Sequence, residues 1–414
     1  MILNETQKLL LDILKYRLFA GDKPEIENCS VKAVADEAMA QTVFTAVFPV
    51  IEKTLQKNYP EDYGSFSEFY LSNMILNSGN LHDHGELHRI MSENNIPYTI
   101  IKGFSSAYYY PDHALRDMGD VDFLVKNEDF KKAGDVLISE GFKREHESKD
   151  GDIHEAYTRN TFSIWELHRC LNGIPEGEIG ESIRSRLSKI IDQSKLIKLE
   201  NSEFRIPDEF SHGLIMLLHT ASHLTSEGVG LRHLCDWAVF VSRYSDSDFN
   251  SMFKSELEKL GLYKFAQVLT LTAERHLGAP KKGWAQAAQF DESITDELIL
   301  DILSGGNFGK KDTNRYREIK YIQNRGERTV DNKNLFTQLV STLNKKVYSQ
   351  HKFIDRHRFL LPAGWVAEGA KYTGLLITGK RKNKGTADML KEASKRKEIY
   401  SSFELFNNND AAQN

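Results

Sequence analysis

Ile100-Ile-Lys-Gly-Phe-Ser-Ser-Ala-Tyr-Tyr-Tyr-Pro-Asp-His-Ala-Leu-Arg-Asp-Met-Gly-Asp-Val-Asp-Phe-Leu-Val125 is the stretch on which the fold turns. From Gly119 onward apolar and polar residues alternate with a period of two, the repeat of a strand. Asp120 and Asp122 therefore share one face, and Val121, Phe123 and Val125 share the other. Two carboxylates on one face repel unless a cation sits between them, and a hard divalent ion with oxygen ligands is the natural guest. Just upstream, Gly103-Phe-Ser105 offers backbone N–H groups and a hydroxyl, a combination that suits phosphate. Phosphate beside a carboxylate-bound metal points to phosphoryl or nucleotidyl transfer.

Around this stretch the chain predicts an α+β protein, a small mixed sheet flanked by helical regions at both ends. Residues 1–95 read as helical: 6–20, then 31–57 interrupted by Pro49, a turn-rich break over 58–65, and one or two helices over 66–94. Residues 96–170 carry the sheet. Strands are expected at 97–101, 121–125, 142–147, 153–159 and 161–168, with a short helix over 105–110, a helix over 128–141 and a turn at 149–152. The alternation in the last strand puts Ile164, Glu166 and His168 on one face. Residues 171–406 return to helices after a loop at 173–180: 182–192, 208–225 capped by Asp208, 231–244, 248–261, 263–277 and 291–303, with a hairpin over 196–206. Residues 310–332 are very polar, 335–348 and 362–376 are the last clear apolar segments, and 407–414 reads as a disordered tail.

Of the 414 residues, 40% are hydrophobic and 27% charged, ordinary for a globular protein. A net charge of −5 argues against a general nucleic-acid binder and against long nucleic acid as partner, despite the basic cluster at 380–384. The three cysteines, Cys29, Cys170 and Cys235, are too far apart for a metal or redox motif. No apolar run reaches the roughly 18 residues of a membrane span, and the start does not read as a signal peptide, so a cytoplasmic protein is expected.

The order Gly103-x-Ser105, Asp120-x-Asp122 and a later acidic residue on a strand resembles the DNA-polymerase-β-like nucleotidyltransferase superfamily. More narrowly, Lys102-Gly103, Arg116-x-x-Gly119-Asp120-x-Asp122-Phe-Leu-Val and Trp165-Glu-Leu-His168 look like a bacterial nucleotidyltransferase family with no assigned substrate. Leu218-His219…His223…Gly228-x-Gly230-Leu-Arg-x-Leu-x-Asp236 fits that family too, so the likeness spans roughly residues 80–240. It implies two Mg²⁺ ions held by Asp120, Asp122 and a third carboxylate, for which Glu166 is the candidate; the superfamily more often has Asp there. Gly103 and Ser105 would hold the β- and γ-phosphates of an NTP. The acceptor is a hydroxyl on a small molecule, a protein or an RNA end, with a tRNA end still open.

Each of these residues has a competing reading. Lys102 and Arg116 either neutralise triphosphate or pair with Asp112, Asp117 or the metal carboxylates. Glu166 could instead pair with an arginine such as Arg159. His168 either binds phosphate, supports a carboxylate, or is structural. Among His82, His84 and His88 the plain reading is a solvated helix face, and the sharper one has a histidine reaching the nucleotide. His212, His219 and His223 recur at seven and four residues on one helix. They either line the cleft opposite the sheet or, with His233 and Asp236, build a metal-dependent phosphohydrolase. Asp236 could orient Arg232. A non-catalytic nucleotide- or partner-binding protein on the same fold is the alternative to the enzyme.

Overall fold

The computed structural model describes residues 2–26, 30–145, 153–160, 162–288, 290–291, 293–309, 311 and 386–407. The turn at 149–152, the polar stretch 312–332, the apolar segments 335–348 and 362–376, the basic cluster 380–384, Cys29 and the tail 408–414 lie outside the described residues.

Helix α1 (Glu5–Phe19) opens on a capping box: the Asn4 side chain accepts from Gln7 N–H and the Gln7 side chain accepts from Asn4 N–H. Helices α2 (Val31–Ala40) and α3 (Phe44–Asn58) follow as two helices, but the break lies at 41–43 and not at Pro49, which sits inside α3. The reason is a cap from far away. The Asp117 carboxylate accepts from Phe44 N–H (2.9 Å) and Thr45 N–H (3.0 Å), so α3 starts there. The expected break over 58–65 shrinks to Tyr59, because Pro60 serves as the first residue of α4 (Pro60–Glu93). That helix runs 34 residues without interruption, about 51 Å at 1.5 Å per residue.

A five-stranded mixed sheet packs against the second half of α4. Its strands are β1 (Tyr98–Ile100), β2 (Val121–Val125), β3 (Lys143–Arg144), β4 (His154–Thr158) and β5 (Trp165–His168), in the order β1-β2-β5-β4-β3. β2 and β5 run parallel, with Asp122 opposite Glu166, and the other pairs are antiparallel. The short helix α5 (Phe104–Ala107) follows β1, and α6 (Phe130–Ser139) follows β2. Phe123, Trp165 and Leu167 are fully buried in a core completed by Leu87, Ile90 and Met91 of α4.

Helix α7 (Gly177–Leu187) begins inside the expected loop and ends before the expected 192. The hairpin β6 (Lys195–Leu199)–β7 (Ser202–Ile206) forms as read and packs on α4. α8 (Glu209–Leu224), capped by Asp208, and α9 (Leu231–Ser242) come next. α10 (Asp246–Phe249) and α11 (Ser255–Lys259) are joined through a π-helical turn, and α12 (Tyr263–Leu277), α13 (Gly283–Gln286) and α14 (Ser293–Gly305) complete the series. A last helix, Thr386–Ser402, packs on α14 where the sequence marked no apolar segment. The helices before and after the sheet share one apolar core: α1 lies against α12, and Leu10, Ile13 and Leu14 are fully buried in it. Among the described residues no helix is long and apolar enough to cross a membrane.

Candidate active site

The loop from Arg116 to Asp120 is held from every side before it delivers its carboxylates. Arg116 donates through Nε and Nη2 to both oxygens of Asp236, each at 2.8 Å, and Asp236 also accepts from the Tyr110 hydroxyl at 2.7 Å. Asp117 caps α3, as above. Asn77 of α4 donates to the Arg116 carbonyl at 3.1 Å, and Asn80 to the Gly119 carbonyl at 2.8 Å. Asp83 of the same helix accepts from Phe162 N–H and Ser163 N–H, so α4 fixes the entrances to both β2 and β5. An irregular backbone loop this enclosed needs each polar group matched.

Asp120, Asp122 and Glu166 line one cleft of about 450 Å³, together with Lys102, Gly103 and Ser106 from the sheet side and His219, His223, Arg232 and His233 from α8 and α9. Asp122 is buried and satisfied: Lys102 Nζ lies 2.8 Å and His168 Nε2 2.9 Å from its Oδ1. Burial alone would raise its pKa, but Lys102 and His168 outweigh that and hold the carboxyl well below its usual range. His168 is the counterpart. Burial opposes its charge, yet hydrogen bonds to Asp122 and Glu166 raise its pKa above that of a free imidazole.

Asp120 differs. It stands exposed at the cleft mouth and makes no hydrogen bond or ion pair among the described residues. Desolvation by the cleft walls, followed by the Glu166 and Asp122 carboxylates, lifts its pKa to about 6. Lys102 and Arg232 pull the other way without forming an ion pair with it, and an acid held so against two others is a donor set that fits a hard divalent ion.

The other expected residues divide. Lys102 and Gly103 reach the cleft. Gly103 has φ +58° and ψ −117°, a conformation open to glycine alone, and it turns the chain from β1 into α5. Ser105 does not reach the cleft: fully buried, it donates to the Lys102 carbonyl at 3.0 Å, and Ser106 lines the wall instead. Arg116 lines the cleft, but its fork is filled by Asp236, a partner outside those expected for it. Asp236 accordingly orients Arg116 rather than Arg232, which donates to the Asp117 carbonyl. Glu166 does not pair with Arg159; its neighbours are His168 (3.4 Å) and His154 (3.8 Å).

Of the α4 histidines, His82 is exposed, while His84 is fully buried under Gly103, its pKa lowered to about 4 by burial. His212 leaves the expected trio to stack on Tyr109 in the core. His219 and His233 do face the cleft, and burial followed by the mutual proximity of cationic and imidazole neighbours keeps both neutral, His233 at about 3. Their nitrogens do not converge as a ligand set. Among the described residues the one group that does is His154, Glu166 and His168.

Asn77, Asn80, Asp83, Ser106 and His154 escaped the sequence reading. Only His154 left a signal, since an antiparallel pairing of its strand with the next sets it opposite His168. A family model described as an uncharacterised nucleotidyltransferase matches residues 30–278. No curated protein matches the chain.

Proposed function

Because the chain belongs to this uncharacterised nucleotidyltransferase family, we propose that it transfers a nucleoside monophosphate from an NTP to an acceptor hydroxyl, with Asp120, Asp122 and Glu166 as its metal-binding and catalytic residues. The observation that carries this reading is the convergence of those three carboxylates on one cleft, two of them in register across the parallel strands. Bound there, two Mg²⁺ ions would neutralise triphosphate charge and favour ionisation of the acceptor hydroxyl.

The protein's own groups do the rest. Lys102 and Arg232 supply positive charge to the triphosphate, and the Gly103 turn lets phosphate oxygens approach backbone without a side chain between. Glu166 accepts the acceptor's proton as its oxygen bonds to the α-phosphorus, and the bond to the β-phosphate oxygen breaks to release pyrophosphate. The neutral imidazoles of His219 and His233 line the far wall, where base or acceptor would lie. The acceptor class is a small molecule, a protein or an RNA end; the net charge of −5 speaks against long nucleic acid.

A nucleotide- or partner-binding protein without transfer is the second reading. It is favoured by one observation: Lys102 and His168 already neutralise Asp122 without any ion. Incubation with each α-³²P-labelled NTP and Mg²⁺, for wild type and Asp122→Ala, separates the two. Label passing to the protein, a small molecule or RNA of a cell lysate, and lost in the variant, supports transfer. Mg²⁺-dependent NTP binding without any label transfer supports the second reading.

A further inference from the structure

We propose that His154, Glu166 and His168 form a site for one divalent transition-metal ion of the zinc class, at the sheet-side wall of the cleft. The three residues come from the antiparallel pair β4–β5, where His154 stands opposite His168 and the small Ala156 stands opposite Glu166. One sheet face therefore carries two imidazoles and a carboxylate, with no bulk between them. One donor atom from each lies within 4.8 Å of the others. Glu166 is central: Oε1 is 3.8 Å from His154 Nε2 and Oε2 is 3.4 Å from His168 Nε2. Donors bonded at about 2.0–2.1 Å around a tetrahedral zinc ion stand roughly 3.3–3.4 Å apart, so small side-chain rotations would suffice.

The donor types decide the metal. Imidazole suits Zn²⁺ and its neighbours Fe²⁺, Ni²⁺ and Cu²⁺, whereas Mg²⁺ keeps to oxygen and water. His154 is exposed and gives the ion a path from solvent, while buried His168 offers Nε2, which bonds Asp122 at 2.9 Å without an ion and would exchange that proton for the metal. A three-residue set leaves coordination positions open towards the cleft, which Glu166 also lines. The site shares Glu166 with the proposed transfer centre but does not depend on transfer taking place.

The test is Co²⁺ titration of chelator-treated full-length protein, followed by its visible d–d absorption, with Zn²⁺ competition measured by equilibrium dialysis. Wild type should bind one Co²⁺, displaced by Zn²⁺ and not by millimolar Mg²⁺. His154→Gln should weaken binding by at least about 10–100-fold, the loss seen when even an outer partner of a metal ligand is removed. His82→Gln, an exposed histidine elsewhere, should bind as wild type does. Asp120→Asn should keep the Co²⁺ band, because Asp120 is not in the set. Circular dichroism of each variant confirms folding. Absence of a stoichiometric band, or equal bands in wild type and His154→Gln, overturns the site. The transfer reading stands apart from both results: label transfer with Mg²⁺ and no Co²⁺ site sinks this inference alone, and a Co²⁺ site without label transfer sinks only the transfer reading.

Discussion

Arg116 and Asp236 make the sharpest distinction between scaffold and ligand in this protein. Both are nearly buried, at 6% and 8% exposure, and they meet in a two-pronged pair at 2.8 Å, with the Tyr110 hydroxyl as a third member. The pair shifts both groups towards their charged forms: against the opposing effect of burial, Asp236 is lowered by Arg116 and Arg116 is raised by Asp236. Removing one partner leaves a desolvated charge, which costs about 3–5 kcal/mol. Asp236→Asn is expected to lose that much stability in urea unfolding, as is Arg116→Met. Replacing the whole set by apolar groups (Arg116→Met, Asp236→Leu, Tyr110→Phe) removes the stranded charge and hydroxyl, so most of the loss should return. The reasoning fails if either single variant loses less than about 1 kcal/mol, or if the triple variant is as unstable as the singles. Arg116→Met that unfolds like wild type but no longer binds nucleotide would make Arg116 a phosphate ligand instead.

The carboxylate at the cleft mouth gives a pH signature. A carboxyl whose folded pKa is raised holds its proton more tightly when folded, so its contribution to stability is present below the unfolded value near 4 and is lost as pH rises through about 6. Metal-free wild type should therefore lose melting temperature between pH 4.5 and 7 relative to Asp120→Asn, and Mg²⁺ should recover it at pH 7; parallel profiles for the two proteins would contradict the assignment. Asn80→Ala removes the donor to the Gly119 carbonyl (2.8 Å), leaving a partly buried acceptor unmatched for about 1–3 kcal/mol, and any transfer activity should fall further than stability alone explains. Gly213→Ala places a methyl group 2.7 Å from the Phe253 ring and 3.0 Å from that of Phe240. Overpacking of about 1–3 kcal/mol outweighs the gain of about 1 kcal/mol in helix propensity, so unfolding should come at lower urea with the cleft unaltered.

Local patterns were legible and long-range ones were not. The period of two around Asp120 and Asp122 located β2, and the alternation through Glu166 and His168 located β5, because side-chain direction follows directly from the strand repeat. The cap at Asp208 and the hairpin, read over 196–206, were equally readable from neighbouring residues. The start of α3 was not, since its cap comes from Asp117, more than seventy residues on. For the same reason the sequence leaves Arg116 between phosphate and the nearby acids: its partner Asp236 is 120 residues away. Ser105 and Ser106 differ only in which way a single turn of helix points them, a matter fixed by how α5 packs. Two acids alternating on one strand, Asp120 and Asp122, stand out in a sequence, whereas the asparagines that brace their loop look like any solvated helix face.

The shared core of the outer helices bears on how the protein is made. α1 packs on α2 and α3 and also on α12, so from Phe19 to Leu277 the ribosome adds some 250 residues before the side of α1 that meets α12 can be covered. At about 5–20 residues per second, that side waits on the order of 10–50 s. The sheet, with its own core drawn from residues 81–206, can close in that interval, and α1, α2 and α3 can gather on one another, while the side of α1 that meets α12 stays open. A nascent chain halted after the sheet would thus carry Asp120, Asp122 and Glu166 without the α8–α9 wall of their cleft or the Asp236 partner of Arg116, beside an uncovered apolar flank, the kind of surface that holding chaperones bind.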